Sequence, residues 1–310
     1  MNQKIDDGSA GCGTSILLLL IMAGLIWGLW PSPPPPISNL ALKLPGGEML
    51  KLIKVNAGSF TMGSDEKESK RSDDEKPHRA TLTKNYWLGQ CEVTQAQWKA
   101  VMGGNPSLFK GNDLPVEQVS WQDSKKFCDK LNKLYADKLP GDYRFDLPTE
   151  AQWEYAARGG GESDYKRFRY SGGDYIDEVA WYYNNSGDRE FQKSEESLII
   201  MAVTMPFLFA KELNDRNCST HPVGRKHANA LGFYDMSGNV SEWCLDNYRE
   251  DNRNEQKEFL RGDSESRSKI VKGGSYSWFS SACRPASRGE GKGNSRVGNI
   301  GFRIALVPIK

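Results

Sequence analysis

Histidine is scarce and no charge predominates: the 310 residues include 3 histidines, and 41 Lys+Arg stand against 40 Asp+Glu. A balanced chain lacks the basic surface that tracks phosphates, so no nucleic-acid partner is expected. His78, His221 and His227 are too scattered to announce a metal site, and no CxxC pair or Cys/His cluster has zinc spacing. GxSxG, phosphate-loop and HExxH patterns are also missing, which removes the sequence basis for a serine hydrolase, a nucleotide enzyme or a zinc protease. No internal repeat is visible, which excludes solenoids and propellers.

Residues 15–30, SILLLLIMAGLIWGLW, are apolar throughout and carry no charge. A spanning helix needs roughly 17–25 such residues. Thr14 and Pro31 extend the run, and Trp27 and Trp30 suit a membrane interface. The preceding MNQKIDDGSAGCGT has one Lys against two Asp, and bulky Trp30 stands where a cleavage site needs small residues. The expectation is an uncleaved transmembrane signal anchor over 15–31, after a short segment 1–14. A proline-rich linker follows over 32–46, made stiff by PSPPPP. Cys12 falls before the anchor, which leaves Cys91, Cys128, Cys218, Cys244 and Cys283, an odd number, so at least one is unpaired.

The rest, 47–310, reads as one turn-rich domain with 31 glycines and 9 tryptophans in the whole chain. MLKLIKV and AGSFTMGS predict two strands across a glycine turn, and 79–93 predicts strand pieces. The charge run 65–76 predicts a solvated loop. Thr94, Ser120 and Thr149 each stand three residues before a Gln or Asp and open three helices. Short strands are expected at 269–274, 283–288 and 301–307. Early helices and late short strands indicate α+β rather than a doubly wound sheet. An apolar insertion at about 191–220 includes SLIIMAVTMPFLFA at 197–210, interrupted by Pro206. Three readings stay open for it: a lid or insertion packed on its own domain, a membrane-dipping loop, or a partner surface.

Nine runs stand in order along the domain: AGSFTMGS (57–64), EVTQAQW (92–98), PVEQVSW (115–121), LPTEAQWEYAARGG (147–160), HPVG (221–224), ALGFYDMSGNVSEW (230–243), KGGSY (272–276), CRPASR (283–288) and NIGFR (299–303). In this series the chain resembles the formylglycine-generating enzyme (sulfatase-modifying factor) family. The resemblance implies a C-type-lectin-like α+β fold with little regular structure, and a domain lying outside the cytoplasm. It also implies a copper-thiolate oxidase site on two cysteines after the GGSY turn, five positions apart. Those positions are Trp278 and Cys283 here, and an indole cannot stand in for a thiolate on Cu(I). Cys283 and Ser275 remain as catalytic candidates. Cys283 reads first as structural, buried before Arg284 and able to pair with Cys244; the other reading is a reactive thiol whose pKa Arg284 and Arg288 lower.

The resemblance further implies a calcium site on Asp235, Gly238, Val240 and Glu242, the oxygen ligands a hard cation takes. In it, Gly273, Gly274, Gly301 and Arg303 form the floor near Cys283. Calcium is therefore expected as a cofactor and copper is not. Tyr276, Trp278 and Phe279 are expected to line an apolar cleft for a protein or peptide. The leading reading is a membrane-anchored binding or accessory domain. The alternative is an oxidoreductase with altered metal chemistry, or formylglycine generation on sulfatases.

Overall fold

All three capping boxes form as their spacing predicts. The side chains of Thr94, Ser120 and Thr149 accept from the backbone three residues on, while Gln97, Asp123 and Gln152 reach back to the cap. Each box satisfies two of the backbone donors that a helix start leaves orphaned. The computed structural model describes residues 39–139, 141–161, 168–250 and 268–309. The expected segment 1–14, the anchor at 15–31 and the PSPPPP stretch lie outside them. No helix among the described residues is long and apolar enough to cross a membrane.

In chain order the elements are β1 (Leu40–Lys43), β2 (Met49–Val55), β3 (Gly58–Met62), β4 (His78–Leu82), β5 (Tyr86–Gly89), α1 (Gln95–Met102), α2 (Trp121–Leu134), β6 (Tyr143–Asp146), α3 (Glu150–Ala157), α4 (Ile176–Val179), α5 (Glu195–Thr204), α6 (Pro206–Asp215), β7 (Ser241–Asn247), β8 (Ser268–Lys272), β9 (Gly289–Lys292), β10 (Ile300–Gly301) and β11 (Ala305–Pro308). One sheet has the order β1-β2-β5-β11-β6, a second β10-β7-β8-β9, and β3 pairs with β4. The last strand thus lies between β5 and β6 inside the first sheet, so the two ends of the described domain are knitted into one layer.

Two expectations are corrected. The linker was expected to run to residue 46, but β1 pairs with β2 from Leu40, where Leu40 and Leu42 pack against the core. The stretch 283–288 is not a strand: Cys283 ends a 3-10 turn, Ser280–Cys283, and the strand forms only at Gly289–Lys292. Arg284 and Arg288 there are anchored by carboxylates, which hold the backbone away from a ladder.

Charge is buried in pairs. Glu154 on α3 accepts from Gly63 N at 2.8 Å, and lies 3.1 Å from Lys272 and 2.8 Å from Arg158. Burial pushes its carboxyl up, but Lys272, Arg158 and the Gly63 N–H overcome this and hold it at about 2. A folded value below the unfolded one contributes stability that is present above about pH 4.5 and lost as pH falls towards 2, a contribution of about 3 kcal/mol. Glu154→Gln is therefore expected to flatten the acid limb of a stability–pH profile between pH 4.5 and 2. It should also lower stability at pH 7, as read by urea unfolding.

Candidate functional site

The loop 235–242 bends through left-handed conformations at Asp235 (φ 54°), Gly238 (φ 82°) and Asn239 (φ 62°). Glycine is required at 238 because a Cβ there would meet the carbonyl oxygen of Trp181 at 2.2 Å. The loop holds the next one by backbone bonds: Gly238 N donates to Gly273 O at 2.7 Å, and Tyr276 N donates to Asn239 O at 2.8 Å. The expected calcium residues and the expected cleft residues are thus brought side by side.

Asp235 and Glu242 point into the interior, with Glu92 between β5 and α1 joining them. Gly224 N donates to Asp235 Oδ2 at 2.6 Å, while Oδ1 is buried without a hydrogen bond. Arg303 grips Glu242 with Nε–Oε2 at 2.6 Å and Nη2–Oε1 at 2.7 Å, and Trp153 Nε1 donates to Oε2 at 2.8 Å. Burial, then Asp235 and Glu242, push Glu92 well up, and burial pushes Asp235 up to about 6. Three buried carboxylates face one buried guanidinium, so the cluster lacks positive charge. The orphaned Asp235 oxygen and that deficit fit a hard cation, although Glu242 could contribute only while still bonded to Arg303. Among the described residues no three or more His, Cys, Asp or Glu side chains converge as a metal group. Glu92 was missed in the sequence because it sits just before a capping box and reads as scaffold. Arg303, expected in the floor near Cys283, binds Glu242.

Cys283 is fully buried, and its thiol donates to Phe279 O at 3.7 Å. The chain turns over it at Gly274, where a Cβ would meet its sulfur at 2.8 Å. Burial pushes the thiol up to about 12. Arg284 and Arg288 do not activate it: Arg284 binds Glu75 at 2.7 Å and Glu68 at 2.9 Å, and Arg288 binds Glu150 at 2.7 Å. All five described cysteines are free, so no Cys244 bridge forms. Ser275 is buried and its hydroxyl meets Ser277 Oγ at 3.2 Å, bracing the turn.

Of the expected cleft residues, Trp278 is 48% exposed. Tyr276 is half-buried, its ring edge-on to Phe109 at 5.3 Å. Phe279 is not at a cleft surface. It is buried against Tyr183 at 5.1 Å and Phe209 of α6 at 5.3 Å, because apolar helices of the insertion cover it. Asn299 donates to Ser277 Oγ at 3.2 Å next to Tyr276, and Leu108, 60% exposed, lies between Phe109, which meets the Tyr276 ring, and Gly298, where a Cβ would stand 3.3 Å from it. Neither was visible from spacing, since both come from distant loops.

A buried thiol with a value near 12 is about one part in ten thousand thiolate at pH 8, against roughly a quarter for an ordinary cysteine. Alkylation of native Cys283 by iodoacetamide, followed by peptide mass mapping, should be at least about a thousandfold slower than in the guanidinium-unfolded chain. Labelling at the rate of an exposed thiol would contradict the burial described.

The sulfatase-modifying factor enzyme 1-like domain model matches residues 43–307. The chaperone protein LppX of Paenibacillus barcinonensis is 39% identical over 220 residues, covering 62% of this chain and 70% of that protein. The formylglycine-generating enzyme of Mus musculus is 28% identical, the match covering 74% of this chain but 53% of the enzyme, so the chain spans about half of that relative. Among solved structures, variable protein 1 of Treponema denticola superposes with a TM-score of 0.66 at 26% identity, covering 88% of this chain and all of that one. PvdO from Pseudomonas aeruginosa, at TM-score 0.63 and 22% identity over 88% of this chain and 99% of its own, has the same mixed helix-and-sheet fold. The chain belongs to the sulfatase-modifying factor enzyme 1-like family, to which the formylglycine-generating enzymes are related.

Proposed function

We propose that this protein is an accessory, ligand-binding member of its family, held to a membrane by residues 15–31 with its domain outside the cytoplasm. The observation that carries the reading is the state of the oxidase position. Cys283 is a buried, strongly protonated thiol, and its partner position is the exposed Trp278. One inaccessible sulfur and an indole offer Cu(I) no thiolate pair. A relative at 39% identity bears the name chaperone, which is consistent with holding another protein rather than oxidising it. The binding surface is formed by Trp278 and Tyr276 with Leu108, and its ligand is an apolar stretch of a protein or peptide. Large exposed aromatics are the residues that supply most binding energy at such surfaces.

Calcium belongs to the same reading. Asp235, the carbonyls of Gly238 and Val240, and Glu242 would hold it. The cation would supply the missing positive charge and stiffen the loop that carries Tyr276 and Trp278.

Titration of the full chain with Cu(I) is expected to show no stoichiometric tight site. Tight copper that disappears in Cys283→Ser would overturn the accessory reading in favour of oxidase chemistry. Millimolar Ca²⁺ should raise the melting temperature relative to EDTA, and Asp235→Asn should abolish that rise. An equal rise in both proteins would place calcium elsewhere. Trp278→Ala should weaken binding to the best apolar sequences on a peptide array by at least about tenfold, near 1.4 kcal/mol. Unchanged affinity would remove Trp278 from the binding surface.

A further inference from the structure

Helices α5 and α6 form a hairpin bent at Met205, with Pro206 in the first position of α6. Ser194 caps α5, its oxygen accepting from Ser197 N at 3.3 Å. The hairpin buries only its base: Leu198 and Met201 of α5 and Phe209 of α6 join the cluster that contains Phe279 and Cys283. Glu195 also fastens the base, accepting from Ser280 Oγ at 2.9 Å and pairing with Lys70 at 3.1 Å. The apex is the opposite. Val203 is 77% and Phe207 81% exposed, and Ile200, Met205 and Leu208 are exposed beside them.

This apex has no charge to screen it. Residues 197–210 contain no Asp, Glu, Lys or Arg, while charges crowd the base at Lys193, Glu195, Glu196, Lys211, Glu212 and Asp215. A patch of this kind, left to water, is a liability unless something covers it. Apolar side chains at a tip with polar groups confined behind them match the layering of a membrane interface, where acyl chains meet headgroups. Basic and acidic groups are mixed at the base, so attraction to anionic headgroups is not the driver.

The proposed anchor at 15–31 would bring a bilayer to this domain. Between the apolar run that ends at Trp30 and the first described residue, Asn39, stand eight residues. At full extension these reach at most about 29 Å. We propose that the α5–α6 hairpin inserts its apex, Val203, Met205 and Phe207, into the lipid interface as an attachment additional to the anchor. The choice of a bilayer over a protein partner rests on the membrane reading of residues 15–31, whereas the exposed apex does not.

The test uses the full chain reconstituted into phosphatidylcholine vesicles that contain a lipid with a photoactivatable diazirine acyl chain. Labelled peptides are then mapped by mass spectrometry. Label is expected on 200–208 as well as on 15–30. The label on 200–208 should fall at least about fivefold in a Val203→Glu, Phe207→Glu double variant and persist in Phe207→Leu. Both sites are exposed, so the fold should tolerate the changes, and an unchanged circular dichroism spectrum checks this. Label on 15–30 with none on 200–208 would overturn the hairpin proposal and leave the anchor standing. Label on 200–208 alone would support the hairpin and remove the anchor, and label on neither would end both. Protection of 200–208 from hydrogen exchange without lipid label would assign the apex to a second copy or another protein, and would also overturn the proposal.

Discussion

The interior depends on where Arg303 sends its guanidinium. Besides gripping Glu242, it donates to Gly89 O at 3.0 Å and Tyr234 O at 2.9 Å. Gly89 ends a strand of the first sheet and Glu242 lies in the second, so one planar side chain ties the two sheets through a buried ion pair. Trp153 joins from α3 by its bond to the same carboxylate. A buried pair of this kind adds modestly to stability while intact, but losing one partner strands a charge and costs roughly 3–5 kcal/mol. The geometry is directional, because the guanidinium fork accepts only a few arrangements of oxygens. The loop 235–242 is therefore held between Asp235 and Glu242 at its two ends, and the loop of Tyr276 and Trp278 hangs on it.

The same device repeats around the acidic stretch 65–76, which reads as a solvated loop in the sequence. Glu75 is fully buried under a two-pronged contact from Arg284, and Tyr248 donates to Asp74 at 2.9 Å. A run of like and unlike charges shows only that charge is present. Whether a partner waits two hundred residues away is a tertiary fact. The arginines of CRPASR were read as possible neighbours of a thiol, and they are in fact the clamps of this distant loop. That commitment removes them from Cys283 and leaves its thiol with nothing to stabilise a negative charge.

What was legible followed local rules. The three helix starts at Thr94, Ser120 and Thr149 were readable because a capping box is complete within four residues. The strands 49–55 and 58–62 were readable from alternation around one glycine. The nine ordered runs carried the resemblance to the family, and three of them contain the cap residue of a helix whose capping box is complete within four residues. The buried charge cluster was not legible, because Glu92 comes from a different element than Asp235 and Glu242. Nor was the burial of Phe279. Its neighbours Trp278 and Ser280 sit nearer solvent, and only the packing of α6 decides which of the three turns inward. The edge strand at Leu40 was hidden by its proximity to the prolines.

The hairpin and the turn that carries Cys283 are packed as one unit. Phe209 of α6 stacks on Phe279, and Phe279 offers its carbonyl to the Cys283 thiol. Glu195 of α5 holds Ser280 in the turn between them. A thiolate that bound copper and met a substrate would need solvent or substrate to reach it, yet this turn is braced by apolar helices on one side and by Gly274 on the other. Burying the sulfur at 283 removes apolar surface from water and adds to the stability of the fold. The packing that covers Cys283 also fastens the base of the hairpin, so the exposed apex is presented on a packed support rather than on a loose loop.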